Sequence, residues 1–335
     1  MGTLSRRVLG IEPRETSFAR RGFRCDSTAV RLRLEQVGTS FVRGYHLALE
    51  TRDCDLLAAR IAAEVEPDCA GFAFEGAAMA LTLLDALVPW RRRRLQRLLD
   101  GPGSAHVYIV HVGAGWALAR LPVPVGRFLA RLDPMLGWLA LDGYGFHQGF
   151  FHSPRAVARQ EVPRRVRGYA RRAFDQGLGR SLWFVDGADP ARIAAEIAAF
   201  PPARRADLWS GIGLACAYAG GIGRSALAEL RLLAGPHRPE LAQGVAFAAK
   251  ARLLAGNPTP DTALACAEVC GLTPVQAAAV TDRAMPRDAG EWMGAPAIAA
   301  PTAAANAAAV APEVPAFELW RQRIQQTFLS EVASA

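Results

Sequence analysis

Residues 208–223, LWSGIGLACAYAGGIG, run for sixteen positions without a charged side chain and carry five glycines. Only three kinds of structure accept such a run: a phosphate-cradling loop, a membrane span, or a buried helix lying unusually close to its neighbour. The loop fails on its letters. GIGLAC has Cys216 where a dinucleotide-binding turn needs its last glycine, and AGGIGRS lacks the G-K-[ST] ending of a nucleotide-binding P-loop. The span fails on length, because about 20 apolar residues are needed to cross a bilayer. A helix remains, with Asp207 as its expected N-cap. Gly211, Ala215 and Ala219 then form a smooth stripe at i, i+4, i+8, and Gly220-Gly221 provide a left-handed stop.

The same logic extends to the rest of the chain. At 335 residues with 51% apolar content, it is long enough to bury one large core. The net charge of +8 comes almost wholly from arginine, since Lys250 is the only lysine. That bias matches the codon usage of a GC-rich genome. No basic stripe interleaved with stacking aromatics accompanies it, so nucleic acid is not an expected partner. Six cysteines (25, 54, 69, 216, 266 and 270) include no CxxC, and a reducing cytoplasm suits them. The first 21 residues lack an apolar h-region, so no signal peptide is expected.

Helical periodicity dominates the chain. Residues 53–65 read as a helix capped by Asp53 or Asp55, and Asp189-Pro190 opens another. Residues 31–49 fit a strand or a short helix, and 106–113, HVYIVHVG, read as a strand on β-branched content. Residues 181–187 fit a short strand or the end of the preceding helix. Residues 71–88 reach the minimum length of a span and meet Arg91 to Arg94 beyond Pro89. Glu75 and Asp85 oppose that reading, and arginines near helix-terminal carbonyls explain the same letters. From 206 to 284, helices separated by short turns have tetratricopeptide-like length and small-residue content, clearest over 237–271. The expected fold is mainly α: a helical domain over 10–290 with at most a few short strands. An Ala/Pro-rich linker (294–315) and a C-terminal helix (316–333) follow.

Three stretches echo one another: GFAFEG (71–76), GYGFHQG (143–149) and RRAFDQG (171–177). Each sets an acid or histidine just before a glycine. Duplication would bring Glu75, His147 and Asp175 together as acid/base groups whose apolar surroundings shift their pKa values. Chance recurrence of Gly and Phe at helix crossings would not. Arg164, Arg167 and Arg171 share one face of a helix read from 163, suited to clamping an anion or meeting solvent or an acidic partner. No metal site is expected, because Asp142, His147 and His152 are spaced five and five and no HExxH occurs. No cofactor motif is found either.

The block GLGRSLWFVDGADPARIAAEIAAFPPARRADLWSGIGLACAYAGG (177–221) carries a family pattern. With RGF near Arg21, GFAFEGAAMA, HVGAGWALARLP (111–122) and GYGFHQGFF, it resembles the bacterial family catalogued as domain of unknown function 1702. The resemblance spans roughly 10–285, with the tail after 290 outside it. It implies a place in bacterial secondary-metabolite clusters, including those of enediyne polyketides, and carries over no activity and no catalytic residue.

The expected function is therefore to hold an apolar small molecule in a helical cavity during natural-product biosynthesis. Trp116, Trp138, Phe146, Phe150, Trp183 and Trp209 would line the cavity, and Glu75, His147, Asp175 and Arg180 would supply charge or protons. The alternative is a helical-repeat scaffold that binds a biosynthetic or membrane partner protein without chemistry. The expected location is the cytoplasm, with membrane contact left open for residues 71–89.

Overall fold

A computed structural model describes residues 6–7, 9–87, 93–286 and 314–332; the 294–313 part of the expected linker lies outside them. Seven long helices organise these residues: α1 (Thr28–Glu50), α2 (Ala70–Leu87), α3 (Val107–Arg120), α4 (Leu139–Phe151), α5 (Tyr169–Val185), α6 (Pro202–Tyr218) and α7 (Arg238–Leu254). Two more complete the body, α8 (Pro274–Ala284) and α9 (Ala316–Val332). Shorter helices such as Cys54–Glu64, Pro190–Ala199 and Arg224–Leu233 connect the long ones. No strand occurs among the described residues.

Local chemistry sets several boundaries as expected. Asp53 accepts from the Leu56 amide at 2.8 Å and Asp189 from that of Arg192 at 2.8 Å, each satisfying an orphan donor of a first turn. Beyond α6, Gly220 and Gly221 take φ of 71° and 109°, the left-handed stop.

Other boundaries differ. Residues 107–113 are the start of α3 rather than a strand. Tyr108, Ile109, Val110 and Val112 are all buried, so packing on every side overrides their β propensity. Residues 181–185 finish α5, and 31–49 belong to a 23-residue α1. The arginine helix does not begin at 163. Gly168, at φ 57°, precedes α5, so Arg164 and Arg167 lie in a turn and share no helical face with Arg171. Asp207 is no N-cap, because α6 starts at Pro202, where proline fits the first turn.

Successive long helices lie side by side and run parallel. Between α4 and α5, Trp138 meets Tyr169 at the N-terminal ends (4.8 Å between ring centres) and Phe150 meets Phe184 at the C-terminal ends (5.9 Å). At each crossing a glycine faces the neighbouring backbone. A Cβ on Gly76, Gly113, Gly143, Gly177, Gly211 or Gly244 would fall on a carbonyl oxygen of the preceding long helix. Gly44, Gly115, Gly145, Gly179 and Gly213 do the same toward the following one. The glycines of 204–223 are thus one instance of a repeated device. Gly143, Gly177 and Gly211 recur every 34 residues (177 − 143 and 211 − 177).

The row curls until it meets itself. Tyr218 of α6 packs its ring on Phe72 of α2 at 5.1 Å, and Arg252 of α7 donates to the carbonyls of Asp68 (2.6 Å) and Tyr218 (2.5 Å). Side chains pack the inside of the curl and leave two small cavities. Helix α9 closes one side with Phe317, Trp320, Ile324 and Phe328, whose spacing of three and four puts them on one buried face. Of the described residues, one stretch, Pro67–Leu87, is long and apolar enough to cross a membrane, and 72% of its window is buried inside the protein.

Candidate functional site

The parallel crossing fixes which residues meet inside the curl. The residue before the first crossing glycine is Glu75 in α2, Asp142 in α4, Gln176 in α5, Ser210 in α6 and Gln243 in α7. On the neighbouring helices α4 to α7 these positions face one another, so Asp142, Gln176, Ser210 and Gln243 form a buried ladder, while α3 carries Val112 at its equivalent position. Gln176 Nε2 donates to Asp142 Oδ2 at 2.8 Å, and Ser210 Oγ lies 3.2 Å from Gln176 Oε1 and 2.8 Å from Gln243 Oε1. A buried polar group without a partner costs roughly 1–3 kcal/mol, which is why the ladder is linked from rung to rung.

At its α4 end the ladder becomes charged, and Arg180 carries it across to Glu75 of α2. Arg180 of α5 donates to Asp142 Oδ1 at 2.5 Å and reaches Glu75 Oε1 at 3.9 Å. Trp116 Nε1 of α3 donates to Glu75 Oε1 at 2.9 Å. The guanidinium also sits 5.0 Å from the centre of the Phe146 ring. One arginine therefore serves two carboxylates, all three nearly fully buried. Burial pushes the Glu75 carboxyl up to about 7; Arg180 and the Trp116 N–H pull it down, and Asp142 adds to the rise. Such a group exchanges a proton near neutral pH.

Glu75 forms part of the wall of an aromatic cavity made by Phe41, Phe72, Trp116, Phe146, Phe150 and Phe184. Phe151 completes one side, and Ile11 and Thr16 of the N-terminal segment cover another. The cavity leaves about 30 Å³ for the centre of a water-sized sphere, room for a slender group in this state.

Of the expected acid/base set, Glu75 and Arg180 are brought together and His147 and Asp175 are not part of their contact. His147 packs edge-on against Trp116, 5.7 Å between centres. Burial, with His152 and Arg120 nearby, lowers its pKa to about 3, so the imidazole stays neutral and a weak base. Asp175 points away from the ladder into a two-pronged pair with Arg204, at 2.8 Å from Nε and 2.5 Å from Nη2. The three echoes are therefore out of register. Glu75 stands one residue before its crossing glycine, whereas His147 follows Gly143 by four and Asp175 precedes Gly177 by two.

Among the expected lining residues, Trp116, Phe146 and Phe150 line the cavity. Trp138 packs on Tyr169 instead, and Trp183 donates to the Gly220 carbonyl at 3.0 Å, tying the ends of α5 and α6. Trp209 is buried outside the cavity wall. The arginine cluster also disperses. Arg165 donates to the carbonyls of Leu118 (2.6 Å) and Val123 (3.0 Å), completing the end of α3, while Arg172 turns to Asp207 at 3.0 Å. Sequence reasoning missed Asp142 and Gln176 as site residues. The signal for them was the polar residue preceding G-x-G in LDGYG, DQGLG and WSGIG. No group of three His, Cys, Asp or Glu able to hold a metal occurs among the described residues.

The fold and site define an all-α protein of side-by-side parallel helices that encloses a charged, aromatic-walled centre. The chain belongs to the family described as protein of unknown function (DUF1702), whose model matches residues 1–328. The match extends beyond residue 290, further than the sequence resemblance over roughly 10–285. No curated protein and no solved structure matches the chain.

Proposed function

We propose that the protein binds an apolar small molecule in the aromatic cavity and uses Glu75 to give or take a proton there, as a step in bacterial secondary-metabolite biosynthesis. The observation that supports this is a fully buried carboxyl in the wall of an aromatic cavity, its pKa raised to about 7. A purely structural centre gains nothing from a second carboxylate on one arginine, since an unmatched buried charge is costly. Polyketides of the enediyne type are the product class the reading favours, and a cytoplasmic location goes with it.

Native mass spectrometry of protein purified from a producing strain tests the binding. A co-purifying small molecule is expected, and its loss in Val42→Trp, which fills the aromatic cavity from its wall and is checked for folding by circular dichroism, would locate it. A stoichiometric partner protein with no small molecule would replace this reading with the scaffold. The proton role is tested through Trp116→Phe. The indole N–H favours ionised Glu75, so its removal should raise the Glu75 pKa by about one unit, read by carboxyl ¹³C NMR. An unmoved pKa would remove Trp116 from the site's electrostatics.

A further inference from the structure

A second cavity, with Arg180 but not Glu75 among its lining residues, lies between α3, α6, α7 and α9. Its walls are apolar: Ile109, Val112, Leu139, Leu214, Phe247 and Trp320. Like the first, it leaves about 30 Å³ for the centre of a water-sized sphere. Two polar groups on its wall are buried and have no partner. They are the hydroxyl of Tyr108, a residue 9% exposed, and Nε of Arg180, a residue 3% exposed. Both are donors, and burial holds the Tyr108 hydroxyl above its ordinary pKa, in its neutral, donating form.

We propose that this cavity is a binding site for a slender, uncharged apolar molecule carrying one hydrogen-bond acceptor, such as the carbonyl of an alkyl ketone or aldehyde. Tyr108 Oη is an unpaired donor in an apolar wall and can bond one neutral acceptor oxygen, and Arg180 Nε is a second unpaired donor among the lining residues. The oxygen must be neutral. Arg180 already faces Asp142 and Glu75, and Lys250 in the wall is paired with Asp282 at 2.5 Å. A carboxylate or phosphate would enter without a free cation to match it. The narrow volume selects an unbranched chain over a ring system. This site is separate from the aromatic cavity and does not depend on the function proposed for it.

The test uses the full chain with 2-hexanone labelled with ¹³C at its carbonyl, and n-hexane as the probe that lacks an acceptor. Saturable ketone binding with a downfield carbonyl shift is expected, together with binding of hexane at least 5-fold weaker. Tyr108→Phe should weaken the ketone about 5-fold, abolish most of the shift and leave hexane unchanged. Ala248→Phe, which fills the cavity, should abolish binding of both, and Val42→Trp in the aromatic cavity should alter neither. Equal binding of ketone and hexane would overturn the proposal. So would a ketone shift that survives Tyr108→Phe, binding that persists in Ala248→Phe, or a crystal structure at saturating ketone showing only ordered water beside Tyr108 Oη.

Discussion

Two buried ionic clusters, both within the helical array, have opposite balances. In one, Arg180 serves Glu75 and Asp142, one cation against two carboxylates. In the other, Asp207 of α6 and Glu318 of α9 are held by Arg172 and Arg321, two against two. Asp207 lies 3.0 Å from Arg172 and 2.7 Å from Arg321, Glu318 lies 3.1 Å from Arg321, and Arg172 also contacts Glu318. The matched cluster fastens the terminal helix to the body, and its carboxylates raise the Arg321 pKa against the effect of burial. The unmatched cluster leaves one carboxyl able to hold its proton near neutrality, and that carboxyl faces an aromatic cavity. Matched charges thus give a clamp, with Arg172 41% exposed at its edge, and an unmatched, wholly buried set leaves a carboxyl that can hold a proton.

The largest effect is expected from unbalancing the clamp. Arg321→Met leaves two buried carboxylates on Arg172 and should cost about 3–5 kcal/mol in urea unfolding. A loss below about 1 kcal/mol would mean that α9 is held by its apolar face alone.

The second prediction comes from the unmatched cluster. In the native state Glu75 keeps its proton to about pH 7, whereas its ordinary pKa is 4.5. The folded state therefore binds the proton more tightly than the unfolded chain. That contribution to stability is fully present below 4.5 and is lost as pH rises through 7, by about 3 kcal/mol. Asp186, raised to about 6 by burial, acts with the same sign over a lower window. His147, lowered to about 3, acts oppositely, losing stability as pH falls below 6.5. Glu75→Gln should flatten the decline between pH 6 and 7 while leaving the Asp186 part in place. An unchanged pH profile in that variant would show that Glu75 is ionised in the folded state and that the two clusters do not differ.

The smallest effect concerns the crossings that hold both clusters. Gly177→Ala forces a Cβ onto the Asp142 backbone and should cost about 1–3 kcal/mol. Gly126→Ala, also in a helix but with open space around it, should be stabilising by up to about 1 kcal/mol. Similar values for the two would remove the close-packing argument, and thermal unfolding of the pair measures it.

Helix content, several caps and the stop at Gly220 were readable because they depend on neighbours within a few residues. So were Glu75 and Arg180, a charge in an apolar run being visible without coordinates. The contact register was not, although WSGIG, DQGLG and LDGYG held it. Aligning the three echoes on their aromatic residues set Asp175 beside Glu75. Aligning on the first crossing glycine sets Asp142 and Gln176 there instead. The strand expected at 106–113 failed for a related reason, since Val and Ile suit any fully buried surface and only the neighbouring helices decide its shape.

Sequence by itself determined that this chain is helical, which helices carry glycine for close contact, and that an acid lies buried in the second long helix. Only the tertiary structure decided which cation each acid meets. Arg180 lies 105 residues from Glu75 (180 − 75) and reaches it because three glycine crossings, at Gly113, Gly143 and Gly177, hold α2 to α5 close along the curling row. Charge balance depends on that distant pairing, and with it the difference between the carboxyl that fastens α9 and the one that holds a proton near pH 7.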